Sequence, residues 1–293
     1  MISDHRCFYC FVRAFGEILE KEPISPDKKQ SFTVDMVKFY LDNHGYLNGP
    51  AFSRELHNIL QKYTLNNDPF REEKRHYNDK ALGMMTELEE IILESEARFD
   101  TALRLAIAGN IIDFAASSNF DLEATIENAL KTEFAIDHSR ELEEGLKKAK
   151  SVLYLGDNAG EIVFDRLFIE TIDHPDLTYA VRGSPVINDA TMEDAEYTGL
   201  TSVVRVISNG YDAPSTIPDK SSWEFRERFN TADLIISKGQ GNLEGLLPLN
   251  DRRIFFLLMV KCNVMAEYLK VSKGSLVVFN KGLPGKTGKT EKS

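Results

Sequence analysis

The sequence predicts an α/β protein: a Rossmann-like, mostly parallel sheet domain preceded by an all-helical N-terminal domain. Two observations carry this reading. From about residue 5 to 148, apolar residues recur at spacings of three and four, the repeat of a helix with one buried face. From Ser151 onward, short continuous apolar runs alternate with segments long enough for crossover helices, the pattern of parallel strands buried on both faces.

In the first half, Pro23, Pro26, Gly45, Gly49, Pro50 and Pro69 punctuate the helical repeat. Long helices are expected over 73–95 and 97–116, and Asp121 is placed to cap another in which Leu122, Ile126 and Leu130 share a face. In the second half the strand-like runs are 152–155, 177–181, 203–207, 234–236, 254–259 and 276–279. The closing GKTGKTEKS lacks periodicity and reads as a frayed, flexible tail. The expected division is a helical domain over 1–148, a Rossmann-like domain over 149–284 and a tail over 285–293.

The chain has 293 residues, 42% of them hydrophobic, so it can bury large cores without a covalent or metal staple. Its net charge of −11 argues against a broad electrostatic footprint on nucleic acid or an anionic membrane. A small anionic substrate is still compatible, because a bound metal reverses the sign locally. No run of about eighteen apolar residues occurs, and MISDHRCFYC lacks a signal-peptide core, so a cytoplasmic location is expected. Three cysteines do not suggest an oxidised framework. The oligomeric state is left open.

Ligands of open parallel sheets bind at the carboxyl ends of strands, which directs attention to the residues after each run. Here these are Gly156 to Glu161, then Arg182-Gly183-Ser184-Pro185 with Asn188-Asp189-Ala190-Thr191, then Lys238 to Asn242. Asp157, Asn158 and Asp189 offer hard oxygen ligands to a divalent ion. Lys238 offers a point charge to a phosphoryl group, and the Gly239 and Gly241 amides offer hydrogen bonds to its oxygens. Asn242, Asn188 and Arg182 stand beside them as substrate-binding candidates. Each piece alone also reads as a turn or a helix cap, and Glu161 as a first-turn carboxylate favoured by the helix dipole. Their gathering on one sheet edge points to a phosphoryl site.

Other residues invite a role. Cys7 and Cys10 lie three apart on one helical face; with Cys262 they would form a second metal or redox site, although buried free thiols are also common in cores. Asn110 and Asp113 lie on one helical face beside Gly109 and would border the substrate cleft if that helix closely approaches the other domain. The six histidines show no ligand-like spacing and are expected at the surface or at caps.

The strings GDNAGEIVFD (156–165), RGSPVINDATMEDA (182–195) and ADLIISKGQGNLE (232–244) closely resemble the DUF89, or damage-control phosphatase, family, in particular its stand-alone prokaryotic branch. DPFREEK (68–74), AGNIIDF (108–114) and the Cys7-x-x-Cys10 opening with Cys262 in MVKCNVMAEYL extend the resemblance from about residue 7 to 281. It implies divalent-metal-dependent hydrolysis of small phosphate monoesters, with Mg, Mn, Co or Ni as the ion. The family's Asp-Asn pair falls on Asp157 and Asn158, its third metal-binding aspartate on Asp189, and its phosphate-binding lysine on Lys238. Ser215 stands where related sequences tend to carry glycine. Attack by metal-activated water is favoured over Asp157 as nucleophile, since aspartyl-phosphate enzymes show Asp-x-Asp and the second position here is Ala159. Glu161 would orient that water. The alternatives are a Rossmann-like methyltransferase and a non-catalytic metal- or ligand-binding protein.

Overall fold

The structure, a computed structural model, describes residues 4–110 and 122–284. The expectations for Asp113, for Asp121 as a cap and for the tail lie outside the described residues.

Three helices open the chain: α1 (His5–Lys21), α2 (Pro26–Asn43) and α3 (Gly49–Thr64). Local chemistry sets their starts. The Asp4, Ser25 and Asn48 side chains accept from amides of the first turns, and Pro26 and Pro50 occupy first-turn positions where no amide partner is needed. Their apolar faces meet in a core of their own around Phe15, Phe32, Phe52, Leu56 and Leu60. His57 lies inside this lobe against Phe15, not at the surface or at a cap as expected.

The remaining helices cover a seven-stranded sheet. Its strands are β1 (Ile136–Asp137), β2 (Val152–Leu155), β3 (Leu177–Val181), β4 (Arg205–Ser208), β5 (Leu234–Lys238), β6 (Ile254–Met259) and β7 (Leu276–Phe279), in the order β1-β7-β6-β5-β2-β3-β4. Pairings are parallel except for β6 with β7. On one face, α4 (Arg71–Glu94), α5 (Arg98–Gly109) and α8 (Glu161–Ile172) share a core with Tyr154 and Tyr179. On the other, α10 (Trp223–Thr231), α11 (Gly239–Leu246) and α12 (Asn263–Leu269) pack on Leu153, Leu155 and Ile235. Alternate residues of β2 thus enter opposite cores, the period of a strand buried on both sides. Helices α6 (Leu122–Lys131), α7 (Ser139–Leu146) and α9 (Met192–Tyr197) complete the set.

The expected fold class holds, with three local differences. Residues 136–137, inside the expected helical half, form the edge strand β1, and α4 and α5 share the sheet's core, whereas α1–α3 meet in a core of their own. The fourth strand begins at Arg205 because a 3-10 turn at Leu200–Ser202 leads into it. The fifth extends through Lys238. Among the described residues no helix is long and apolar enough to cross a membrane.

Candidate active site

From β2 the chain proceeds to β3 and β4 on one side, then to β5 and β6 on the other. The crevice outside the carboxyl ends of β2 and β5 is therefore the sheet's switch point, where two loops diverge and leave room for a ligand. Asp157 follows β2 and Lys238 ends β5. The loop after β3 joins them: Ala159 N donates to Asn188 O at 2.9 Å and Ala190 N to Asp157 O at 2.8 Å. These bonds set Asn158 opposite Asp189.

The ordinary duties of turns and caps are performed by neighbours. Thr191 is the N-cap of α9, and Asp194 accepts from its amide at 2.9 Å and its hydroxyl at 2.8 Å. Gly160 is the N-cap of α8. The Asp157, Asn158 and Asp189 side chains face one another's surroundings instead.

Arg182 Nε donates to Asp189 Oδ2, and its Nη2 lies 3.3 Å from Asp157 Oδ1, so one guanidinium bridges both carboxylates. Nη1 donates to Asn242 Oδ1 at 3.0 Å and to Thr216 Oγ1 at 3.3 Å. Asn242 Nδ2 donates in turn to Gly156 O and Lys238 O. Asp157 Oδ2 accepts from Asn110 Nδ2 at 3.0 Å and from Asn158 Nδ2 at 3.1 Å. Glu161 Oε2 accepts from the same two amides, at 2.7 and 3.1 Å. Behind it, Lys238 Nζ donates to Glu161 Oε1 at 2.6 Å, to Ala106 O at 2.8 Å and to Asp165 Oδ1. Tyr154 and Tyr179 hydroxyls donate to Asp165.

Four buried carboxylates, Asp157, Glu161, Asp165 and Asp189, thus face two buried cations, Arg182 and Lys238. Burial, then the charges of Asp189 and Glu161, hold Asp157 well above the usual carboxylate range, with Arg182 and Lys261 opposing. Burial alone would lower Lys238, but Asp165 and Glu161 outweigh it and raise its pKa. Burial likewise pushes Asp165 up to about 6 against the pull of Lys238.

The structure brings Asp157, Asn158, Asp189 and Arg182 together at one sheet edge and gives other expected residues different partners. Lys238 has no exposed surface and sends its three N–H donors to protein acceptors, so in this arrangement it anchors Glu161 and Asp165 rather than facing a phosphoryl group. Gly239, at φ +77°, begins α11 against Asp157: a Cβ there would lie 1.8 Å from Asp157 Oδ2. Gly241 packs on the Pro214 carbonyl, and Asn188 is buried with its carbonyl accepting from Ala159. Ser215 is buried against Gly245. Asn110 Nδ2 reaches Asp157 and Glu161. Cys7, Cys10 and Cys262 form no disulfide, and Cys262 Sγ accepts from Gln240 at 3.4 Å. Among the described residues, no group of three or more His, Cys, Asp or Glu is arranged to hold a metal.

Two contributors went unnoticed. Asp165 follows Glu161 by one helical turn within an apolar run, a pair whose spacing puts both on one buried face. Lys261, partly buried just beyond β6, is close enough to lower the pKa of Asp157. Its place at a strand's carboxyl end was the available signal.

The model of the damage-control phosphatase ARMT1-like domain matches residues 3–277. The chain belongs to this family. A damage-control phosphatase of Pyrococcus horikoshii is 38% identical over 283 residues, 94% of this chain and 97% of that protein. One from Archaeoglobus fulgidus is 34% identical over 223 residues, 72% of this chain and 75% of that one. The crystal structure of a DUF89 family protein from Pyrococcus horikoshii superposes with a TM-score of 0.83 at 36% identity, covering 96% of this chain and 99% of the other. Membership in the family supports a phosphatase role in general.

Proposed function

We propose that this protein hydrolyses small phosphate monoesters, such as sugar phosphates or damaged phospho-metabolites, with a divalent ion held by Asp157, Asn158 and Asp189. The observation that carries the reading is the meeting of two oxygen-bearing loops with the amino end of α11 at the switch point.

The residues suit such an ion. Their donors are carboxylate and amide oxygens, the set preferred by Mg²⁺ and Mn²⁺ and compatible with Co²⁺ or Ni²⁺. Buried carboxylates outnumber buried cations at the site, and the buried Asn110 Oδ1 has no hydrogen-bond partner among the described residues. Arg182, bridging Asp157 and Asp189, already marks the spot as one that attracts positive charge. When bound, the ion would neutralise phosphoryl charge and acidify a water.

The chain's own groups supply the rest. The first amides of α11 have no intrahelical acceptors, and with the positive end of the helix dipole they suit phosphoryl oxygens. Lys261, whose charge lowers the pKa of Asp157, adds positive charge near it. Both Asp157 oxygens accept hydrogen bonds, Oδ1 from Arg182 and Oδ2 from Asn110 and Asn158. This supports a holding role over a nucleophilic one, and in-line attack by water. Glu161 is engaged by Lys238, Asn110 and Asn158, so we assign it to orienting those amides. A cytoplasmic enzyme of small metabolites, without nucleic-acid or membrane partners, accords with the net charge of −11.

The test is phosphate release from p-nitrophenyl phosphate with Mg²⁺, Mn²⁺, Co²⁺ and Ni²⁺, before and after chelation. Turnover should fall at least about tenfold on chelation and return with the ion. Absence of turnover with every ion, alongside micromolar binding of a sulfonium methyl donor, would favour a methyltransferase. Ion binding without turnover would leave a binding protein.

A further inference from the structure

The two loops that carry Asp157, Asn158 and Asp189 are joined to each other by backbone bonds, but a sheet edge does not by itself fix their height above the strands. An outside brace reaches both from α4. Asn78, 1% exposed, accepts from Gly160 N at 2.7 Å through Oδ1 and donates to Asp194 Oδ1 at 2.9 Å through Nδ2. Gly160 directly follows the Asp157-Asn158-Ala159 loop, and Asp194, in the first turn of α9, holds the N-cap Thr191 two residues beyond Asp189. One amide group therefore spans the far ends of both loops.

Its surroundings keep it there. Lys74, one turn earlier on α4 and also buried, pairs with Asp68 at 2.8 Å and lies 3.6 Å from Asp194 Oδ2. Asp194 holds Thr191 with its other oxygen. Gly160 sits at φ +76°, where a Cβ would come within 3.0 Å of Tyr77, so α4 lies directly against this turn. An amide is the side chain that fits, because Gly160 requires an acceptor and the Asp194 carboxylate requires a donor. The segment 68–78 thus has a use that its sequence did not disclose.

We propose that Asn78 is a positioning residue for the divalent-ion site: it sets the spacing between the Asp157-Asn158 loop and the Asp189 loop from outside, without touching ion or substrate. This rests on the reading of the site given under Proposed function. Groups that orient metal ligands commonly change ion affinity by about 10- to 100-fold when removed.

The experiment is calorimetric titration of the full chain with Mn²⁺, together with melting temperature and kcat and KM on p-nitrophenyl phosphate. The variants are Asn78→Ala, Asn78→Asp and the exchange Asn78→Asp with Asp194→Asn. The exchange restores an acceptor for Gly160 and a donor between the two side chains, and remains informative should Asn78→Ala fail to fold. We expect Asn78→Ala and Asn78→Asp to weaken Mn²⁺ binding at least about tenfold, with KM at saturating ion little changed, and the exchange to recover most of the affinity. A merely structural brace would lower the melting temperature and leave the Mn²⁺ affinity of the folded protein at the wild-type value. That result, or an exchange variant binding no better than Asn78→Asp, overturns the proposal while leaving the reading of the site intact. Failure of the wild-type protein to bind Mn²⁺ overturns both.

Discussion

A lysine with no exposed surface must point every N–H at an acceptor, and Lys238 points them at Ala106, Glu161 and Asp165. Removing one partner of a buried ion pair leaves an uncompensated charge, which typically destabilises by about 3–5 kcal/mol. Lys238→Met should therefore lower unfolding stability in urea by about that amount. A loss below about 1 kcal/mol, the range of an exposed pair, would mean that the pairing is not what holds these carboxylates. At this scale the sequence was legible where chemistry and position coincide: Asp157, Asp189 and Lys238 are polar residues at the ends of apolar runs. Which atoms they touch was not, because Asp165, Tyr154 and Tyr179 meet Lys238 only after α8 has folded back on the sheet.

Elements decide where those residues stand. Helix α11 begins at Gly239, whose positive φ and lack of a Cβ let the helix end touch Asp157. Gly239→Ala should destabilise by about 1 kcal/mol or more, since alanine is strained at positive φ. By displacing Asp157 it should also reduce turnover, read as kcat at saturating ion and set beside the melting temperature. Unchanged kcat would separate the α11 terminus from the chemistry. Long or strongly apolar elements such as β6 and α4 were visible in the sequence, whereas β1 has only two residues and no pattern to show. The cavity of about 910 Å³ between the ends of α4 and α8, lined by Ile92, Phe99, Leu146 and Ile172, lies at the amino ends of β2 and β3. The crevice is marked by its charges, not by its size.

Over the whole molecule, cores divide the chain differently from helical periodicity. The repeat over 5–148 cannot distinguish a helix that packs on other helices from one that packs on a sheet, so α4 and α5 read as part of one helical half although their partners are β2 and α8. The α1–α3 lobe carries its own pH response. Burial lowers the pKa of His57 from 6.5 to about 4, so the unfolded chain takes up the proton first. The stability from burying neutral His57 is complete above about pH 6.5 and is lost as pH falls toward 4, with about 2 kcal/mol gone by about pH 5. His57→Phe should flatten this part of the profile in urea unfolding between about pH 7 and pH 5, and an unchanged slope would assign it to other groups. The proposed ion between the two loops is tested by Asp189→Ala, through Mn²⁺ calorimetry and phosphate release on protein shown to be folded by circular dichroism. Affinity and turnover should both fall by about 100-fold or more with the fold retained; wild-type affinity and turnover in the folded variant would remove Asp189 from the ion site.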